Sequence, residues 1–190
     1  MKAYILLGNT REKSNTETLA GIFKEELSAK GADVTSVSLR AKNVQTCVGC
    51  ETCHSNMDAF GCVIDDDMKE IADGILASDL IVFASPIYSW MPTPVLKAVM
   101  DRAYALTKYP EEGESFNLMK NQKFAMIATS AEACEDNCDL FNEAVRRMAD
   151  FAQRPYLGSL TAQDLGDGNI ARDEVINDAE SFAEKCMKAF

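Results

Sequence analysis

One histidine and one tryptophan occur among 190 residues, and no apolar run approaches the roughly 18 residues that a membrane helix needs. A lone His54 excludes any arrangement that needs two histidines, and no serine–histidine–aspartate triad is found around it. Positive charge is also scarce: 19 Lys and Arg stand against 30 Asp and Glu, a net charge of −11. That balance excludes nucleic acid or an anionic membrane as the main partner, because both demand a basic surface. It does not exclude an anionic cofactor, which a local cluster of backbone N–H groups and one Arg can hold. The opening residues Met1 to Gly8 lack the long apolar segment and small-residue cleavage site of a secretory signal, so a cytoplasmic protein is expected. Repeats, low-complexity tracts and linkers are also missing, and residues 1–190 read as one domain. Cysteine, by contrast, is plentiful. An odd total of seven, four of them between Cys47 and Cys62, is no secreted disulfide framework and points to metal or redox chemistry.

Strand and helix patterns alternate along the chain. Apolar strands are expected at Tyr4–Leu7, Val34–Leu39, Leu80–Ala84, Phe124–Ala128 and Tyr156–Leu160. Between and after them, helical spacing of apolar residues marks Thr16–Ala29, Asp65–Ala77, Pro94–Leu106, Leu140–Ala152 and Asp173–Ala189. The segment Arg40–Ile64 reads as irregular and Lys108–Asn121 as a polar connection. Five such units predict a parallel sheet between two helix layers, with ligands beyond the carboxyl ends of the strands at a topological switch point.

The loops after the first, third and fourth strands are unusual. The first, from Gly8 to Leu19, carries hydroxyls at Thr10, Ser14, Thr16 and Thr18, the Asn15 amide and the Arg11 guanidinium, and runs into a helix N-terminus. Free N–H groups and the helix dipole suit that end to an anion such as a phosphate monoester. Ser14 and Glu17 also have the spacing of a capping box, which satisfies one helix end without consuming all its donors. The second loop, Ser85 to Pro94, offers two aromatics and three prolines, a stiff apolar bed for a planar ring.

Gly8-Asn9-Thr10-Arg11 with Ser14-Asn15-Thr16 resembles the phosphate loop of the NADPH-dependent FMN reductase family, and Ser14 to Ala20 is similar to that of flavodoxins. Pro86-Ile87-Tyr88 followed by Pro94 to Lys97 and Asp101-Arg102 resembles the same family's flavin loop and helix. The resemblance implies a flavodoxin-like α/β/α sandwich with strand order 2-1-3-4-5. It implies FMN as cofactor, NAD(P)H as reductant, and a quinone, flavin or protein as electron acceptor. Asn9, Arg11, Ser14, Asn15 and Thr16 would then contact the phosphate, and Pro86, Ile87, Tyr88, Ser89 and Trp90 the ring and ribityl chain. Thr129 and Ser130 would add contacts after the fourth strand, although the glycines usual there are replaced by Ala131 and Glu132. Lys97, Asp101 and Arg102 are expected in packing or subunit contact within a homo-oligomer.

Cys47, Cys50, Cys53 and Cys62 have the two-residue gaps of cubane iron–sulfur motifs and resemble those of iron–sulfur flavoproteins, with a longer final gap. Zinc with His54 is a further reading of the same residues. The loop is expected to shape the rim of the flavin site and to be redox-active or structural rather than to hold a stable cluster. An iron–sulfur flavoprotein, a flavodoxin-like carrier and a metal-binding scaffold are the alternative functions.

Overall fold

The computed structural model describes residues 1–165 and 169–190. Five parallel strands form its sheet: β1 (Lys2–Leu7), β2 (Asp33–Ser38), β3 (Leu80–Pro86), β6 (Lys123–Ser130) and β7 (Tyr156–Gln163), in the order β2-β1-β3-β6-β7. Counting only these five, the order is the expected 2-1-3-4-5. The central strands β1, β3 and β6 are buried along almost their whole length, which is why they read as unbroken apolar runs.

Helices α1 (Asn15–Ala29) and α5 (Asp173–Met187) cover one face, through Leu19, Phe23, Val175 and Phe182. On the other face lie α2 (Met68–Leu76), α3 (Pro94–Arg102) and α4 (Asp139–Phe151), which bury Ile71, Leu96, Val99, Phe141 and Val145. Each such fully buried side chain contributes about 1.5–3 kcal/mol relative to exposure. Among the described residues no helix is long and apolar enough to cross a membrane.

Three expectations are corrected. Helix α2 starts at Met68 rather than Asp65, because Asp66 and Asp67 turn their carboxylates onto other backbone: Asp66 accepts from the N–H groups of Met68 and Gln45, and Asp67 from that of Asn43. These bonds staple the irregular segment to the helix. Helix α3 ends at Arg102 and continues to Leu106 as a 3-10 turn. The connection after it is not simply polar coil. It contains a hairpin of β4 (Thr107–Lys108) and β5 (Phe116–Asn117), with Lys108 fully buried.

Candidate functional site

The loops after β1, β3 and β6 meet at the carboxyl end of the sheet. Ser85 and Thr93 tie two of them together: Thr93 donates its N–H to the Ser85 hydroxyl at 3.0 Å and its own hydroxyl to the Gly8 carbonyl at 2.7 Å. Gly8 has to be glycine, since a Cβ there would stand 2.8 Å from that of Leu96. Ile87 N–H reaches the Thr129 carbonyl at 2.8 Å, and the Thr10 and Tyr88 hydroxyls lie 2.9 Å apart. The result is a cleft of about 340 Å³, lined by Asn9 to Thr16, Pro86 to Tyr88, Thr129 to Ala131 and Asp164. That volume is within the roughly 300–1,000 Å³ of small-molecule sites.

Most of the residues expected here are brought together, but they do different work. Ser14 caps α1, accepting from the Glu17 N–H at 3.2 Å. The reciprocal half of the capping box is replaced, because the Glu17 carboxylate accepts from the Asn9 amide at 3.3 Å instead. Asn9 is wholly buried and donates also to the Arg11 carbonyl, so its side chain braces the loop. Thr16 is buried with its hydroxyl 2.7 Å from that of Thr129, locking the first loop to the third. Arg11 and the first turn of α1 remain on the cleft wall, with the helix's unpaired N–H groups.

Ser89 and Trp90 do not line the cleft. They form the tip of a two-residue turn between Tyr88 and Met91, whose backbones exchange bonds of 2.9 and 3.1 Å. Both central residues are left-handed, with φ of 49° and 64°, as a type I′ turn demands. Asn-Gly is the pair that fits such a turn without strain; Ser-Trp carries on the order of 1–3 kcal/mol per residue. Replacing Ser89-Trp90 by Asn-Gly is therefore expected to raise the thermal midpoint by several degrees. Differential scanning calorimetry checks this, and an unchanged or lower midpoint would contradict the strain.

The four clustered cysteines meet at a second cleft of about 120 Å³, lined also by Val63, Asp101, Arg102 and Tyr104. The long final gap closes as a turn: Asn56 Oδ1 accepts from the N–H groups of Asp58 and Ala59, and Gly61 has φ of 71°. A Cβ on Gly61 would press to 2.8 Å from the Cys53 carbonyl. Two buried cations hold the loop from behind. Arg102 donates to Asp66 at 2.5 Å and to Cys62 Sγ at 3.3 Å, and the Lys108 ammonium donates to the carbonyl of Cys53 at 3.0 Å. Burial pushes the Lys108 ammonium and the Cys53 thiol toward their neutral forms, while the Thr52 hydroxyl and N–H hold the exposed Cys50 thiol below its usual range.

The loop's cleft and the first cleft share no lining residue. The flavin loop enters α3 at Pro94, whereas the thiols gather at Arg102, about 12 Å along the helix axis. Nor does His54 join the thiols: its Nδ1 donates to the Thr107 carbonyl at 3.1 Å, and its ring meets Tyr104 and Tyr109 edge-on. Among the described residues no three His, Cys, Asp or Glu side chains are gathered as ligands for a single metal ion. Lys97 and Asp101 form an exposed helical pair, while Arg102 belongs to packing.

The NADPH-dependent FMN reductase family model matches residues 1–163. An iron–sulfur flavoprotein of Archaeoglobus fulgidus is 33% identical over 102 residues, 54% of this chain and 45% of that protein. Another, from Methanosarcina thermophila, is 33% identical over 108 residues, 57% of this chain and 55% of its own. The match thus spans about half the length of these curated relatives. Among solved structures, an NAD(P)H:quinone oxidoreductase from Methanothermobacter marburgensis superposes with a TM-score of 0.73 at 18% identity, over 96% of this chain and 97% of that one. The last likeness shows the flavodoxin-like fold, and the family match shows more: this chain belongs to the NADPH-dependent FMN reductase family.

Proposed function

We propose that residues 1–190 act as one FMN-binding domain that takes electrons from NAD(P)H and passes them to a quinone, flavin or similar acceptor. The observation that carries this reading is the convergence of three loops on one cleft, with a helix end suited to an anion at one side and the Pro86–Tyr88 segment at the other. A phosphate monoester suits the α1 end, where Arg11, Ser14 and Asn15 stand with the helix's free N–H groups. Pro86 to Tyr88 and Thr129 to Ala131 would line the ring, and the 2.7 Å Thr16–Thr129 contact holds the two ends at a fixed separation. FMN, when bound, supplies hydride acceptance and electron transfer; the protein supplies position and electrostatics. Such chemistry needs no side-chain acid or base, in keeping with a lone His54 that does not line the cleft. A cytoplasmic homo-oligomer is part of the same reading.

Rapid mixing of the FMN-loaded protein with NADPH and with NADH tests it. Flavin absorbance is expected to bleach with at least one of them and to recover on adding a quinone. Bleaching by a reduced ferredoxin but by neither nicotinamide would make the protein an electron carrier instead.

One observation favours a second reading, an iron–sulfur flavoprotein. Cys47, Cys50, Cys53 and Cys62 all line one cleft, and the buried Arg102 guanidinium on its wall favours an anionic occupant. The donor set fits a cubane cluster, which would add one-electron transfer. Iron and sulfide assayed after anaerobic purification decide between the two. Iron and sulfide in cubane proportion, lost in Cys50→Ala, would establish the second reading; free thiols without iron leave the first.

A further inference from the structure

Cys134 and Cys138 belong to neither cleft. Cys134 opens the short turn Cys134–Asp136 that follows β6, and Cys138 stands immediately before α4. The Cys138 N–H donates to the Cys134 carbonyl at 2.8 Å, closing a single helical turn between them. At that spacing two Cα atoms lie about 6 Å apart, within the range that a disulfide spans.

Their side chains share one partner. The Ser130 hydroxyl is 3.4 Å from Cys134 Sγ and accepts from Cys138 Sγ at 3.7 Å. The two thiols differ in access, since Cys134 is half-buried and Cys138 only 3% exposed. They also differ in acidity. The Cys138 S–H, with hydroxyls of Ser130 and Thr161, holds the Cys134 thiol down at about 6 against its burial and the nearby Glu135. Cys138 is pushed up by the same sharing, by burial and by Asp139. Cys186 shows what a packing cysteine looks like in this fold: it is fully buried in α5, and burial pushes its thiol up to about 12.

We propose that Cys134 and Cys138 are a dithiol–disulfide couple that exchanges with low-molecular-weight disulfides, Cys134 as the attacking thiolate and Cys138 as the resolving thiol. The Cys134 thiolate attacks one sulfur of the disulfide RSSR, forming a mixed disulfide and expelling RS⁻. Cys138 then gives up its proton and attacks the Cys134 sulfur, releasing the second RS⁻. Two protein thiols are oxidised, and one disulfide is reduced to two small thiols once these are protonated. Neighbouring positions on a helical turn hold their Cβ atoms about 5–6 Å apart, more than the roughly 3.8 Å of a relaxed disulfide. The bond is therefore strained and easily reversed, as in regulatory or catalytic disulfides. The assignment rests on neither the flavin nor the Cys47–Cys62 loop.

The test is incubation of fully reduced protein in a glutathione redox buffer at pH 7, followed by acid quench, alkylation and peptide mapping. The peptide holding both residues is expected to lose both thiols together and to gain an internal disulfide. Cys138→Ser should accumulate a glutathione adduct on Cys134, whereas Cys134→Ser should leave Cys138 unmodified. Alkylation of Cys134 by iodoacetamide should change less than about twofold between pH 7 and 9, against about twenty-five-fold for an ordinary thiol. Thiols that stay reduced, or that take up glutathione independently of each other, would overturn the couple. A tenfold rise in alkylation would overturn Cys134 as the attacking group.

Discussion

Asp66→Ala is expected to lower the unfolding free energy by about 3–5 kcal/mol, because it strands the Arg102 guanidinium in the protein interior. The two side chains are 0% and 1% exposed and 2.5 Å apart, so water cannot take the place of the lost carboxylate. The same substitution removes the acceptor for the Gln45 and Met68 N–H groups, and with it the anchorage of the irregular segment to α2. Against a typical total of roughly 5–15 kcal/mol the loss is large. Replacing both partners with apolar residues of similar size should cost much less, since no charge is left unpaired. Urea titrations of the three proteins check this, and an Asp66→Ala loss below about 1 kcal/mol would contradict it.

The pair also fixes the sign of a pH effect. Burial alone would raise the Asp66 carboxyl, but Arg102 and the two N–H groups outweigh it and hold the group below the usual carboxylate range. A depressed folded-state value means that the stabilisation is present above the unfolded value, about pH 4, and is lost as pH falls through the lower folded value. Asp66→Asn should lack that part of the acid dependence.

Arg11→Ala is expected to weaken FMN about tenfold and to leave riboflavin binding unchanged. A charge-assisted bond to phosphate is worth about 1.5–3 kcal/mol, and the exposure of Arg11 places it at the low end of that range. The loss should shrink as salt is added, because the charge is screened. Fluorescence titrations of both proteins with both flavins check it. Equal losses for FMN and riboflavin would place Arg11 away from the phosphate.

The sheet was legible from sequence because parallel strands buried on both faces leave unbroken apolar runs, as Leu80 to Ala84 does. The loops of the first cleft were legible because hydroxyls and prolines gather only where strands end. Individual roles were not. Nothing in the spacing tells that Asn9 turns its amide inward onto Glu17 or that Thr16 pairs with Thr129, 113 residues away. The β4–β5 hairpin has two-residue strands, too short to show a period. Arg102 was expected in packing or subunit contact and Lys108 in a polar connection, but full burial of such residues depends on partners on distant segments that no spacing shows. The final gap of the cysteine loop closes through local bonds to Asn56 and the left-handed Gly61, and of the two only the glycine marks a turn by its residue type. The left-handed Ser89 and Trp90 defeat sequence reading for another reason: nothing but glycine or asparagine announces such a backbone.

The central claim is that the first turn of α1 holds the phosphate of FMN. Titrating the wild-type apoprotein with FMN and with riboflavin under the same salt tests it most directly. The account predicts that FMN binds at least about tenfold more tightly, the worth of one charge-assisted bond or more; equal affinity for the two flavins would contradict it.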